Sequence, residues 1–166
     1  MEEQRLSLAF VNSVEWRRGS APVERVGDFA ARFGFDPPPA RGGTIRLRES
    51  LYRLLSAVCD GAAADPSDVD VLDRAHRAGL RYVALGPDLR PTWIGPPGER
   101  LRWEVARDAV ALLDGPDRGA LKQCPGETCG WLFVDGTRNH SRQWCDSRMC
   151  GNRARARRYY HRHRAG

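Results

Sequence analysis

Lysine is almost missing from this chain: Lys122 stands alone among 27 basic residues, and the rest are arginine. Genome composition can raise arginine everywhere, so the bias alone carries little. Long apolar runs are missing too. No stretch reaches the roughly 18 apolar residues that a membrane-spanning helix needs, so no membrane span is expected. The start, Met1-Glu-Glu-Gln-Arg5, lacks the basic-then-apolar layout of a secretory leader, which leads to an expectation of the cytoplasm. Repeats, low-complexity tracts, a glycine-rich phosphate cradle and an H-E-x-x-H pattern are all absent. Carboxylates occur in the N-terminal two thirds, but none is spaced from a base in a way that names a reaction. The expectation is a protein that is not an enzyme.

What is present is concentrated near the C-terminus. Four of the five cysteines fall in two equally spaced pairs, Cys124/Cys129 and Cys145/Cys150, with fifteen residues between the pairs. Each pair is short enough to curl both sulfurs toward one ion, and the intervening residues suffice for a hairpin. Four thiolates so arranged match a structural zinc site holding one Zn2+. Two disulfides would need an oxidising compartment. An iron–sulfur centre is the other chemistry four cysteines support. Cys59, 65 positions from Cys124, reads as a small buried or half-buried hydrophobe.

Charge follows the same division. Residues 1–117 carry 16 basic and 18 acidic side chains, whereas residues 118–166 carry 11 and 3. A basic zinc module beside a slightly acidic body points to a polyanionic partner.

Periodicity places the elements. Leu6, Phe10 and Val14 predict a helix over 5–18. Val26, Phe29, Ala30 and Phe33 predict another over 23–33. Residues 36–43, rich in proline and glycine, read as a loop. Thr44 is a candidate N-cap for a helix to Asp60, with Leu47, Leu51, Leu54, Leu55 and Val58 inward and Gly61 as its stop. Asp65-Pro66 should cap a helix over 67–78, with Val69 and Leu72 inward. Residues 80–86 and 89–95 read as a β-hairpin, and 99–113 as the last helix of the body. Residues 114–117 form the candidate junction. The module should run strand, first cysteine pair, strand 130–135, polar loop 137–142, second cysteine pair, then a helix from Asp146 or Ser147 to about His163. Met149, Ala156 and Tyr160 are expected to pack under the hairpin.

The fold class expected is therefore α+β. A mostly helical N-terminal domain with one β-hairpin (1–117), serving as sensor or dimerisation unit, precedes a small treble-clef-like zinc module (118–166). Six arginines lie in residues 153–164 without an acidic partner at helical spacing. Arg153, Arg155, Arg157, Arg158 and Arg162, with Arg138 and Arg142 in the loop, are the candidate nucleic-acid contacts. Asn152 either braces the zinc turn or reaches a base. Asn12 and Trp16 are candidates for a pocket that would hold a small-molecule effector, although Asn12 also reads as a satisfied buried amide.

At Cys150-Gly-Asn-Arg153 the residues resemble the CGNR zinc finger family. The resemblance extends to Cys-Gly-Trp-Leu-Phe-Val-Asp from Cys129, Ser-Arg-Gln-Trp-Cys from Ser141, and Arg-Ala-Arg-Arg-Tyr-Tyr from Arg155. Leu8-Ala-Phe-Val-Asn-Ser13 resembles the start of the domain that accompanies this finger, with Ser13 where a threonine is expected. The resemblance implies a bacterial stress-induced transcription regulator that binds DNA through its finger. Two rival readings remain open. One is a zinc-stabilised module that docks protein or RNA. The other is a small-molecule-binding or enzymatic N-terminal domain with a purely structural zinc. A homodimer is compatible with each.

Overall fold

Helix α3 (Arg41–Asp60) is the spine of the computed structural model, which describes residues 5–35 and 41–164. Its Leu47, Leu51, Leu54 and Leu55 recur at helical spacing and are all buried, so one stripe of the helix meets the core. Gly61, at φ +63°, ends the helix in the left-handed conformation that glycine reaches without steric cost. Before α3 come α1 (Leu6–Val11), β1 (Val14–Glu15), β2 (Val23–Glu24) and α2 (Val26–Arg32). After it come α4 (Pro66–Leu80), β3 (Val83–Leu85), β4 (Pro91–Trp93) and α5 (Pro97–Asp114). A 3-10 turn, Pro116–Ala120, leads into β5 (Leu121–Gln123) and β6 (Leu132–Val134). A π-helical turn, Ser147–Gly151, opens α6 (Asn152–Arg164). The strands form three separate antiparallel pairs, β1–β2, β3–β4 and β5–β6.

Several elements follow the sequence closely. Asp65 accepts a hydrogen bond from the Ser67 amide at 2.8 Å, with Pro66 as the first helical residue of α4. The hairpin pairs Val83 with Trp93 and Leu85 with Pro91. Leu101, Val105, Ala109 and Leu112 of α5 are buried as expected.

Others differ. The predicted helix over 5–18 stops at Val11, and Val14 is buried as a strand residue opposite Glu24. The predicted helix over 23–33 gives up its first turn to the same pairing. Contacts distant in sequence decide both: Asn12 ends α1 by bonding the Leu132 main chain, and ion pairs hold β2. Glu24 pairs with buried Arg48 of α3, which also pairs with Glu49, and Glu49 in turn holds Arg17 at 2.6 Å. The Glu24–Arg48 and Arg17–Glu49 pairs join residues 24 and 32 positions apart and so have no local signature. Helix α3 begins at Arg41, so Thr44 lies inside it and is not its cap, while residues 36–40 of the expected loop lie outside the described residues. Val69 is exposed rather than inward. Asp68 takes the buried place on α4, where Arg53 grips both its oxygens at 2.6 and 2.7 Å.

The core is shared. Leu121 of β5 and Leu132 of β6 belong to the same buried cluster as Phe10, Leu51 and Leu112. The hairpin of the zinc module thus closes one side of the N-terminal core.

Candidate metal centre and basic helix

The pairing of β5 with β6 delivers the first cysteine pair. Leu121 faces Val134 and Gln123 faces Leu132, and the Cys124 amide continues the ladder to the Trp131 carbonyl at 2.7 Å. Between the cysteines the chain doubles back, with the Cys129 amide bonded to the Gly126 carbonyl at 3.0 Å. A Cβ at Gly126 would stand 3.0 Å from the Cys129 Cβ and 3.5 Å from the Cys124 sulfur, so a larger residue would crowd the knuckle and have to shift Cys129 by a few tenths of an ångström. The second pair sits on a capped turn. Asp146 accepts from the amides of Arg148 and Met149 at 2.7 and 3.0 Å, and Cys150 falls within the turn it caps.

The four sulfurs converge, all lying within 4.8 Å of one another. The Cys129–Cys145 and Cys145–Cys150 separations are 3.6 and 3.7 Å. These are far longer than the ~2.05 Å of a disulfide. They match the edge of a tetrahedron whose corners lie about 2.3 Å from a central ion, the zinc–thiolate distance. Several bridged iron ions would need a wider cage.

The protonation chemistry agrees. Cys129 and Cys145 donate to Cys124 and hold its thiol far below the usual range, at about 2. That same bond pushes Cys129 up, and Cys145 is pushed up by its bonds to Cys124 and Cys129. Burial, then the neighbouring sulfurs, pushes Cys150 up to about 12. Four thiolates cannot coexist at this distance unless a cation joins them, and one structural zinc meets the need. When bound, it fixes both knuckles and opens no reaction, because four cysteines complete its shell. Cys59 lies away from the cage, partly buried against the main core.

Behind the cage, Lys122 and Asp135 fasten the loop that the sequence offered as a phosphate site. Asp135 is fully buried. It accepts from Lys122 Nζ at 2.6 Å, from the Thr137 amide at 3.0 Å and from the Arg142 amide at 2.8 Å. Lys122 also donates to the carbonyls of His140 and Arg142. Neither residue stood out in the sequence. The signals available were the solitary lysine and the Asp135-Gly136 pair, which by composition marks no more than a turn. Arg142 changes role accordingly. Its guanidinium donates to the carbonyls of Trp144 and Cys145 and lies 4.7 Å above the Phe133 ring, so it braces the second knuckle. Arg138 of the same loop is exposed.

Helix α6 leaves the cage at once. Cys150 and Gly151 are buried and Ala154 is half-buried, whereas residues 155–163 are all exposed. Met149, Ala156 and Tyr160 therefore do not pack under the hairpin. The small space there is filled by Phe133 and Trp144 with the cysteines. Arg158 and Arg162 are exposed, as are Tyr159 and His161 beside them. Arg155 binds the side chain of Asn152 and the Ser147 carbonyl, so Asn152 braces the helix start through an arginine. Arg157 pairs with Glu127 of the first knuckle. The side chain of Arg164 lies outside the described residues.

Asn12 and Trp16 lie where the module meets the N-terminal domain. Asn12 is buried, and its amide forms two hydrogen bonds with the main chain of Leu132, at 2.8 and 2.9 Å. Trp16 is partly exposed, and the Arg153 guanidinium stacks on its ring at 4.4 Å. Further hydrogen bonds cross the contact beside the shared apolar core. Trp131 Nε1 donates to the Val14 carbonyl at 2.8 Å, and Tyr52 donates to the Gly130 carbonyl at 2.9 Å. Gln123 donates to Tyr52 and Ser56.

Cage, hairpin and helix define a zinc-finger protein with a helical companion domain. Comparison with known families agrees: residues 120–163 match the CGNR zinc finger, and residues 4–116 match a family described as "putative stress-induced transcription regulator". The second match spans most of the chain, which belongs to that family. No curated protein matches the chain. No helix among the described residues is long and apolar enough to cross a membrane.

Proposed function

We propose that the chain is a bacterial, cytoplasmic transcription regulator whose treble-clef zinc module binds DNA through α6. The observation that carries the reading is the exposure of α6. A helix of 13 residues that buries almost nothing has no role in the core, and an isolated helix of this length is marginal in water. Its mutually repelling arginines gain a purpose beside a row of phosphates. Arg153, Arg155, Arg157, Arg158 and Arg162, with Arg138 in the loop, form the contact set. The N-terminal domain is read as non-catalytic, since its buried or half-buried carboxylates are engaged: Glu49 with Arg17 and Arg48, Asp68 with Arg53, and Asp108 with Ser7.

The test is a salt titration with duplex DNA. About five phosphate contacts give a slope of roughly −4.5 in log affinity against log salt. Replacing both Arg158 and Arg162 with Ala should weaken binding to every duplex and flatten the slope by about two, with zinc content unchanged. Equal affinity and slope in the double variant would remove α6 as the contact surface and favour protein docking. One observation favours a second reading, RNA. Tyr159 and Tyr160 are both exposed, and Tyr159 lies against His163 with ring centroids 4.3 Å apart and planes tilted by 50°, so aromatic surface is open to unpaired bases. Single-stranded RNA therefore belongs in the same titration. Tighter binding to it than to the duplex would select that reading.

A further inference from the structure

We infer that Trp16 is a positioning residue for α6: its indole clamps Arg153 at the root of the helix and sets the direction in which the basic face points. The inference rests on the reading of α6 as the nucleic-acid surface. Among the described residues, the stack of Arg153 on Trp16 is the one charged or ring contact of α6 that reaches the N-terminal domain. The other such contacts of the helix, Arg155 with Asn152 and Ser147, Arg157 with Glu127, and Tyr159 with Tyr160 and His163, stay within the zinc module.

The backbone at Trp16 is a second observation. Its φ is +56°, a left-handed conformation in which a bulky side chain is an outlier. Such strain persists only where the surroundings over-determine it, and it clusters at functional positions. Here the chain is held on both sides. Glu15 pairs with Val23, and the Trp16 carbonyl accepts from the Gly19 amide at 2.7 Å. Arg17 is fixed by Glu49 and the Val11 carbonyl, and the Arg18 amide donates to Thr128 at 3.1 Å. The strained turn delivers the indole to the module instead of the core. The guanidinium carbon lies over the ring face, and a cation–π contact of this kind uses none of the N–H donors, which stay available to a phosphate.

Because the clamp carries no net charge of its own, its loss should change geometry without changing the count of phosphate contacts. The informative variant is Trp16→Gly, which deletes the ring and relieves the left-handed backbone; that relief offsets part of the lost ring contact and of the added unfolded-chain entropy, so the fold should melt within a few degrees of the parent. Trp16→Phe keeps a weaker cation–π partner. Amide exchange across residues 152–158, measured on the zinc-bound chain without nucleic acid, should accelerate at least fivefold in Trp16→Gly and less in Trp16→Phe. Duplex affinity should fall about fivefold to tenfold in Trp16→Gly, with the salt slope unchanged. Unchanged exchange in a folded, zinc-loaded Trp16→Gly protein overturns the clamp, whatever happens to affinity. Accelerated exchange with unchanged affinity supports the clamp and counts against α6 as the nucleic-acid surface, so the two failures are distinguishable. A Trp16→Gly protein that melts well below the parent would show the ring to be part of the core, and would also overturn the clamp.

Discussion

Replacing Asn12 with Leu would keep most of the side-chain volume and leave the Leu132 peptide group buried without its two side-chain hydrogen bonds. Each unsatisfied buried group costs about 1–3 kcal/mol, so the variant should lose about 3 kcal/mol in urea unfolding. Asp135 tests a different physics. Burial raises its carboxyl pKa, but hydrogen bonds from Lys122, Thr137 and Arg142 outweigh that and hold it well below the ordinary range. A carboxyl lowered in the folded state contributes stability above its unfolded pKa of about 3.9, and that contribution is lost as pH falls toward the folded value. Asp135→Asn should therefore melt below the parent at neutral pH. The gap between the two midpoints should hold steady down to about pH 5 and narrow progressively below about pH 4, where the unfolded parent's carboxyl takes up a proton while the folded one stays ionised. Acid strips zinc from thiolates in both proteins, so the difference between them is the quantity to measure by calorimetry. Cys59 supplies a control. Burial, then the charge of Asp60, pushes its thiol up to about 11. It should resist alkylation at neutral pH, and Cys59→Ser should retain about one zinc per chain by metal analysis.

Elements were legible in the sequence wherever one local cause sufficed. The cysteine spacing announced the cage because a tetrahedral ion imposes its own distances. Asp65-Pro66 announced α4, and the leucine stripe announced α3, because capping and burial act within a few residues. The misreadings share a non-local cause. Periodicity extended α1 through Val14, but Asn12 leaves the helix to bond Leu132, 120 positions away. Strand β2 exists because Glu24 meets Arg48 of α3, and Asp68 displaces Val69 inward because Arg53 awaits it. Helix α6 shows the opposite error. An apolar trio at helical spacing, Met149, Ala156 and Tyr160, suggested a buried stripe, yet the cage already filled the space. Arg142 looked like a phosphate ligand because sequence shows a charge and not the carbonyls around it. The arginines of α6 were recognised as exposed for a sound reason: no local carboxylate follows them in the helix.

At the scale of the whole molecule the two family matches suggest separable parts, and a zinc module as small as residues 118–166 would, taken alone, unfold by itself once a ligand was lost. The packing argues otherwise. Leu132 is fully buried and Leu121 nearly so, and both lie in the cluster built around Phe10, Leu51 and Leu112. The same strands carry the first cysteine pair, and Asn12, Tyr52 and Trp131 join them to α1, β1 and α3. A structural zinc site in isolated finger peptides is worth about 10–16 kcal/mol, comparable to the total stability of an ordinary domain at about 5–15 kcal/mol. If the knuckles open, the hairpin loses its fixed ends, and the N-terminal core loses the two leucines that close one side. Cys145→Ser should therefore lower the melting of the N-terminal helices as well as that of α6. Even about 4 kcal/mol transmitted to the common core moves the midpoint by roughly 10 °C in a chain of this size. The zinc-bound parent should melt in one transition, followed by helical circular dichroism and by tryptophan fluorescence with the same midpoint. A Cys145→Ser protein that loses only the helical signal of α6, while the remaining helices melt at the parent's temperature, would show two independent units and refute the shared core as the source of stability.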